Sequence, residues 1–266
     1  MDLQLTGKRA VVTGGASGIG RATATLLATE GADVVIASRS ADRLRQAADE
    51  IGAASGRAVH PVPVDTSDED SVRALAVRAA ELVGPIEILV NSAAVAAIQP
   101  PVGGFETVTS ELFWDDVNVK VLGYLRCAQA LAPGMIAAGW GRIINVSGLA
   151  ARSAGSVVGS IRNVSVAAMT KNLADELGRH GVNVTVVHPG MTRTEATPTV
   201  VALTASREGV EPELVERRLA AANTIGRLVT ADEVAAVIAF LASPRSVAIN
   251  GDAVACGGGA PRAIYY

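Results

Sequence analysis

Short apolar runs rich in Val, Ile and Leu recur along the chain, and between them lie longer stretches whose apolar residues return every three or four positions. The runs have the character of strands buried on both faces, and the stretches between them have the period of helices. Residues 10–13 (Ala-Val-Val-Thr) open the series, followed by 33–37, 58–64, 86–90, 142–146, 182–187 and 247–254. Pro61 and Pro63 mark the third run as partly unpaired, because proline brings no amide to a sheet ladder. Helical periodicity runs from Ile19 to a stop at Gly31, and then over 41–52, where Leu44, Ala47, Ala48 and Ile51 share a face. It returns over 67–83, with Ser67 or Thr66 as cap and acids in the first turn. Further helices are predicted over 112–132, started near Ser110 and ended by Pro133-Gly134, over 157–180, and over 231–241. Residues 102–109 read as a loop. Strands alternating with helices from end to end predict one α/β unit over 1–266, a doubly wound parallel sheet of about seven strands with helices on both faces. No linker, repeat or second domain interrupts the pattern.

The turn after the first strand carries chemistry. Thr13-Gly14-Gly15-Ala16-Ser17-Gly18-Ile19-Gly20 joins a strand to a helix. Its glycines allow a tight turn and a close approach of backbone to a ligand. Free amides and the helix dipole then make the helix start an anion site, as in a Rossmann-type dinucleotide fold. The second strand ends in Ser38-Arg39, where an acidic residue would hold the two ribose hydroxyls of NAD. Ser and Arg suit a 2′-phosphate instead, which predicts NADP(H).

The formal net charge of -3 and the absence of a basic tract argue against nucleic acid as a partner. Residues 1–8 hold no apolar signal-peptide core, and no run is expected to reach transmembrane length. Cys127 and Cys256 lie in apolar contexts without metal-ligand spacing, so buried reduced thiols in the cytoplasm, no metal site and no membrane association are expected.

The Thr-Gly-x-x-x-Gly-Ile-Gly spacing in this strand–turn–helix setting resembles the short-chain dehydrogenase/reductase family, and the resemblance runs from about Leu5 to Gly259. It implies cofactor contacts from Gly14, Ala16, Ser17, Gly18, Ile19 and Gly20, from Ser38 and Arg39, and from Asp65 and Thr66 near the adenine. It implies further contacts from Asn91 and Ala93 after the fourth strand, from Asn163, and from Pro189, Gly190 and Thr192 beside the nicotinamide. Ala94 stands where the family has glycine. Residues 194–218 are polar, helical in parts and irregular, which suits a substrate lid over 194–225. The small-residue helices 112–132 and 157–180 correspond to the surfaces through which the family forms dimers and tetramers, so a homo-oligomer is expected.

The family's chemistry uses an Asn, a Ser, a Tyr and a Lys, and none is in register here. Those positions hold Lys120, Gly148, Gly159 and Asn163, and the tyrosines of the chain are Tyr124, Tyr265 and Tyr266. Asn118 lies two residues before the Asn position, on another side of its helix. Two residue types have changed places: Lys120 at the Asn position, Asn163 at the Lys position. Tyr124, one helical turn after Lys120, and Ser147, one residue before the usual Ser, are the remaining candidate catalytic groups with Lys120. An alternative gives Lys120 a buried ion pair and Tyr124 a place in the oligomer interface. Ser156, Ser160, Arg152, Arg162 and His188 could border the pocket. Two functional readings follow: an NADP-dependent oxidoreductase on an unidentified carbonyl or alcohol with a rearranged site, and a non-catalytic NADP(H)-binding sensor or supporting subunit. Non-redox chemistry on the same scaffold is a third, since function lives in the site and not in the fold.

Overall fold

The computed structural model describes residues 1–94, 105–261 and Ile264. Its strands are β1 (Arg9–Thr13), β2 (Asp33–Ser38), β3 (Val59–Pro63), β4 (Ile88–Asn91), β5 (Gly141–Val146), β6 (Val182–Pro189), β7 (Thr192–Arg193), β8 (Val229–Thr230) and β9 (Ala253–Cys256). Seven of them form one sheet in the order β3-β2-β1-β4-β5-β6-β9, all parallel, and β7 pairs with β8 in a separate two-stranded ladder. Side-chain alternation splits the core in two. Val12, Ile36, Val90 and Ile144 face α1 (Gly18–Thr29), α2 (Ala41–Ser55) and α9 (Ala231–Ala242). Val11, Val35, Leu89 and Ile143 face α3 (Glu69–Val83), α5 (Gly123–Ala138) and α6 (Val157–Leu177). The remaining helices are α4 (Ser110–Val117), α7 (Thr197–Glu208) and α8 (Pro212–Ala221). β3 lies at the sheet edge, where its prolines cost no ladder bond on the open side.

Several boundaries differ from the sequence reading, each for a local reason. The 112–132 helix is longer: α4, a π turn at Asn118–Leu122 and α5 run on as one 29-residue rod, Ser110–Ala138. Pro133 does not stop it. Its ring is exposed, as is Gln129 four residues back, so water can take over the carbonyl that Pro133 leaves without a donor. Gly139, in the left-handed region at φ 67°, ends the rod. The rod is long and apolar enough, by length and composition alone, to cross a membrane, which corrects the expectation that no run reaches that length. Its apolar face is used within the protein: Cys127, Ala128, Leu131 and Met135 pack on the sheet.

Helix α3 starts at Glu69 with Asp68 as its cap, because both expected caps are occupied. Thr66 Oγ1 donates to the Val119 carbonyl and Ser67 Oγ donates to Asp65. Likewise Thr109, not Ser110, caps α4. The last strand is shorter than 247–254, since side-chain amides replace its first rungs: Asn183 Nδ2 donates to the Val247 and Ile249 carbonyls, and Asn250 Oδ1 accepts from Val184 N. Cys127 is buried and Cys256 only partly so, both unpaired and both with thiol pKa pushed up to about 12 by burial. The start of the 102–109 loop, Tyr265 and Tyr266 lie outside the described residues.

Candidate active site

A cleft of about 580 Å³ opens at the carboxyl ends of β1 and β4, where the strand order reverses direction. One end is built by the glycine turn. A Cβ on Gly14, whose φ is +69°, would lie 2.6 Å from the Ser92 carbonyl oxygen, and one on Gly20 would lie 2.3 Å from the Gly14 carbonyl oxygen. Neither contact is possible for a side chain, so both positions need glycine for the β1 and β4 turns to close up. Ala16, Ser17, Gly18 and Ile19 line the cleft as expected. The amide of Gly18, first residue of α1, is engaged by Glu195, whose carboxylate accepts from it at 2.8 Å. A side-chain anion from the 194–225 segment thus occupies one amide of the predicted anion site.

The mouth carries Ser38, Arg39, Ser40 and Arg43. Ser40 caps α2 by accepting from Arg43 N. Neither Arg39 nor Arg43 forms a salt bridge to a described residue, which leaves both guanidinium groups for a ligand anion. Asp65 lines the same end, its carboxyl held below the ordinary range by hydrogen bonds from the Ser67 hydroxyl and amide. Thr66, Ser92, Ala93 and Ala94 complete this wall.

The other end holds the exchanged pair. Lys120 sits in the π turn, where Thr66 and Arg126 satisfy the loosened Val119 and Asn118 carbonyls. Its ammonium donates to the Ser147 carbonyl at 2.9 Å and to Asn163 Oδ1 at 3.1 Å. Lys120 and Asn163, adjacent in neither sequence nor helix, therefore meet directly. Burial, with the Arg162 guanidinium adding repulsion, brings the Lys120 pKa down to about 7. Ser147 Oγ donates to the Asn163 carbonyl at 2.9 Å.

Other candidates are placed differently. Tyr124 lies at the cleft floor, but it is fully buried and its hydroxyl donates to the Val146 carbonyl at 3.0 Å. Burial raises its pKa far above the ordinary value, so it is a poor acid partner for Lys120. It also lies inside the protein and not on an outer face. Lys120 in turn bonds to neutral acceptors, and the buried ion pair belongs to its neighbours Asp116 and Arg162. The Asn91 side chain points away from the cleft into a buried relay: it donates to Asn145, which donates to Thr170. Asn163 is buried behind Lys120 and does not line the cleft, nor do Pro189, Gly190 and Thr192. β6 runs on to Pro189, Gly190 packs against Gly257, and Thr192 Oγ1 turns back to the Gly190 carbonyl. The chain reaches the cleft only at Thr194.

Of the bordering residues, Ser147 and Arg162 line the cleft. Ser156 caps α6, Ser160 donates to the Ser153 carbonyl, and Arg152 donates to the Ala253 carbonyl. Asn118 accepts from Arg126. His188 is buried and its Nδ1 accepts from Gly148 N; burial, with repulsion from Arg152, lowers its pKa to about 4. It is therefore neutral at pH 7, with its proton on Nε2. Gly159, at the family's Tyr position, is buried with a would-be Cβ 3.0 Å from Ser156 Oγ. Among the described residues no cluster of His, Cys, Asp and Glu could hold a metal. Arg43, Glu195 and Asp116 escaped the sequence reading.

The sheet, the glycine turn at its switch point and the cleft across it define a nucleotide-binding α/β protein. The chain belongs to the short chain dehydrogenase family, whose profile matches residues 8–203. It is 36% identical over 254 residues to the short-chain reductase protein NovJ of Streptomyces niveus, covering 95% of this chain and 93% of that one. It is 37% identical over 256 residues to the cis-4-hydroxycyclohexanecarboxylate dehydrogenase of Sinomonas cyclohexanicum, covering 94% and 95%. Among solved structures it resembles L-sorbose reductase from Gluconobacter frateurii complexed with NADPH and L-sorbose, with a TM-score of 0.90, 28% identity and coverage of 99% and 100%. It also resembles a variant actinorhodin polyketide ketoreductase with NADPH, with a TM-score of 0.88, 30% identity and coverage of 96% and 98%.

Proposed function

We propose that this protein is an NADP(H)-dependent oxidoreductase that interconverts a carbonyl and an alcohol, with Lys120 as its proton donor. The carrying observation is the Lys120 ammonium at the cleft wall, fixed by the Ser147 carbonyl and Asn163 Oδ1 and tuned to a pKa of about 7. The cofactor fits the residues present. Glycine at positions 14 and 20 lets the turn close against the end of β4 and against α1, which leaves the α1 amides at the cleft for a pyrophosphate, and the Arg39 and Arg43 groups suit a 2′-phosphate. Gly14, Ala16, Ser17, Gly18, Ile19 and Gly20 would hold the pyrophosphate, Ser38 and Arg39 the 2′-phosphate, and Asp65, Thr66 and Ala93 the adenosine end. When bound, NADPH supplies the hydride. An ammonium has three donors, and two on Lys120 are already fixed, so the third is left for a substrate oxygen. Lys120 gives its proton to the carbonyl oxygen as that carbon is reduced, and in the reverse direction the neutral amine takes it back. Asn163 and Ser147 keep the amine in place. The Thr194–Glu195 segment with α7 and α8 serves as the lid.

The second reading is a protein that binds NADP(H) without turnover. It is favoured by the Tyr124 hydroxyl, which is committed to Val146, and by the glycines at positions 148 and 159. A screen of carbonyl compounds with NADPH separates the two. The first reading expects a reducible ketone or aldehyde, and a roughly 10²–10⁴-fold loss of kcat in Lys120→Met with NADPH affinity within threefold. NADPH binding with no carbonyl reduced supports the second. Cofactor choice has its own test: Arg39→Ala should weaken NADPH by about 1–3 kcal/mol in a fluorescence titration and leave NADH nearly unchanged. Equal affinity of the native protein for NADH and NADPH contradicts the assignment.

The unpaired cysteines suit a reducing compartment, and we place the protein in the cytoplasm. No nucleic-acid or membrane partner enters this reading. The exposed apolar residues of α4 and α6 support a homo-oligomer.

A further inference from the structure

Beside Lys120 lies a cation that the proposed reaction does not use. Arg162 precedes Asn163 on α6, and Asp116 precedes Lys120 by one helical turn, so the Asp116–Arg162 pair forms a rung next to the Lys120–Asn163 rung. Arg162 lines the cleft together with Lys120 and Ser147. The pair is half-sunk, with side-chain exposures of 18% and 16%. Its bonding is one-sided. Both hydrogen bonds to Asp116, at 2.5 and 2.7 Å, leave from the same nitrogen, Nη1. Among the described residues, Arg162 Nε is buried without an acceptor and Nη2 donates to none.

A guanidinium offers its Nε and Nη2 donors as a fork that matches the two oxygens of a carboxylate. Here Asp116 anchors the far corner, so the fork is held rigid and its matching edge is unused. Native proteins leave few buried donors without acceptors, and those that remain call for an explanation such as a missing ligand. We propose that the Nε–Nη2 edge of Arg162 receives the carboxylate of a small organic acid whose carbonyl reaches Lys120. The inference rests on the reductase reading for the role of Lys120, and it narrows the substrate class to oxo acids and the corresponding hydroxy acids. Neutral ketones lack the group that the fork is built to hold. The substrate carboxylate fixes orientation, and the reacting carbon is presented to the Lys120 end of the cleft.

The test uses the full chain loaded with NADPH. Calorimetric titration with benzoate, an acid with no reducible carbonyl, reads the anion subsite alone, with benzamide as the uncharged match. Wild type should bind benzoate at least tenfold more tightly than benzamide. Arg162→Lys keeps a cation against Asp116 but loses the fork. The double variant Asp116→Asn with Arg162→Gln keeps a neutral hydrogen-bonded pair and avoids a stranded buried carboxylate. Thermal melts establish that each variant is folded. Both should lose at least tenfold in benzoate affinity and hold NADPH within about twofold. Absent benzoate binding, equal binding of benzoate and benzamide, or benzoate binding unchanged in the folded variants overturns the proposal. NADPH affinity falling in step with benzoate affinity also overturns it, by assigning Arg162 to the cofactor. Turnover separates this idea from the reductase reading. Oxo acids such as 4-oxopentanoate should be reduced with higher kcat/KM than their methyl esters. Esters reduced as well as acids would remove the carboxylate subsite and leave the reductase standing. Arg162-dependent benzoate binding with no ketone reduced would leave the subsite and remove the reductase.

Discussion

At the scale of single residues, the protein separates two groups that sequence spacing had joined. Lys120 and Tyr124 stand one helical turn apart, yet only Lys120 has a hydrogen left for a ligand. Tyr124 is a buried donor to a main-chain carbonyl, and its part is to hold α5 to the end of β5. Tyr124→Phe should therefore lower stability by about 1–3 kcal/mol in denaturant unfolding, since the Val146 carbonyl loses its donor. It should leave kcat within about twofold; a hundredfold loss would restore Tyr124 as the acid. The Lys120–Asn163 exchange could be read from the sequence because both positions are set by fixed anchors on their helices. The Asp116–Arg162 pair could not. Its partners lie 46 positions apart, on α4 and α6, and only the packing of those helices brings them together.

At the scale of elements, β1, β2 and β5 were legible to within a residue, because an unbroken Val and Ile run is a strong signal, whereas β4 starts two residues later than the run and β6 continues two residues past it. Boundaries failed where a side chain took over a backbone bond. Ser67 and Thr66 were spent elsewhere and so did not cap α3, and Asn183 and Asn250 replaced the first rungs expected of β9. Pro133 misled because its cost depends on whether water reaches the freed carbonyl, and exposure cannot be read from one residue. The glycine turn was fully legible, but Glu195 was not, since its partner Gly18 is 177 positions away. That contact has a consequence for binding. A carboxylate on the α1 amide competes with an incoming pyrophosphate and must leave before NADPH seats fully. Glu195→Gln should tighten NADPH by about two- to fivefold at low salt, measured by nicotinamide fluorescence. Unchanged or weaker binding would show that Glu195 does not compete.

At the scale of the whole molecule, α4, the π turn that follows it and α6 present Leu112, Trp114, Leu122, Val157, Ile161 and Val164 to the outside, each at least 37% exposed. The two helices pack side by side, and a second copy of the same helices would cover these apolar side chains. Light scattering at micromolar concentration should return two or four times the chain mass of 27.0 kDa. A mass of one chain contradicts this. An assembly through these helices would also brace the rod that carries Lys120 and Asp116, so dilution to monomer should lower turnover along with mass.

The central claim is that Lys120 carries the proton. The pH dependence of kcat, measured in both directions with the carbonyl compound that turns over fastest and its alcohol, tests it most directly. Reduction needs the ammonium, so its kcat should fall about tenfold per pH unit above about 7; oxidation needs the neutral amine and should rise through the same range. Lys120→Met should remove both limbs. Profiles that are flat from pH 5 to 9 and unchanged in Lys120→Met would contradict the account.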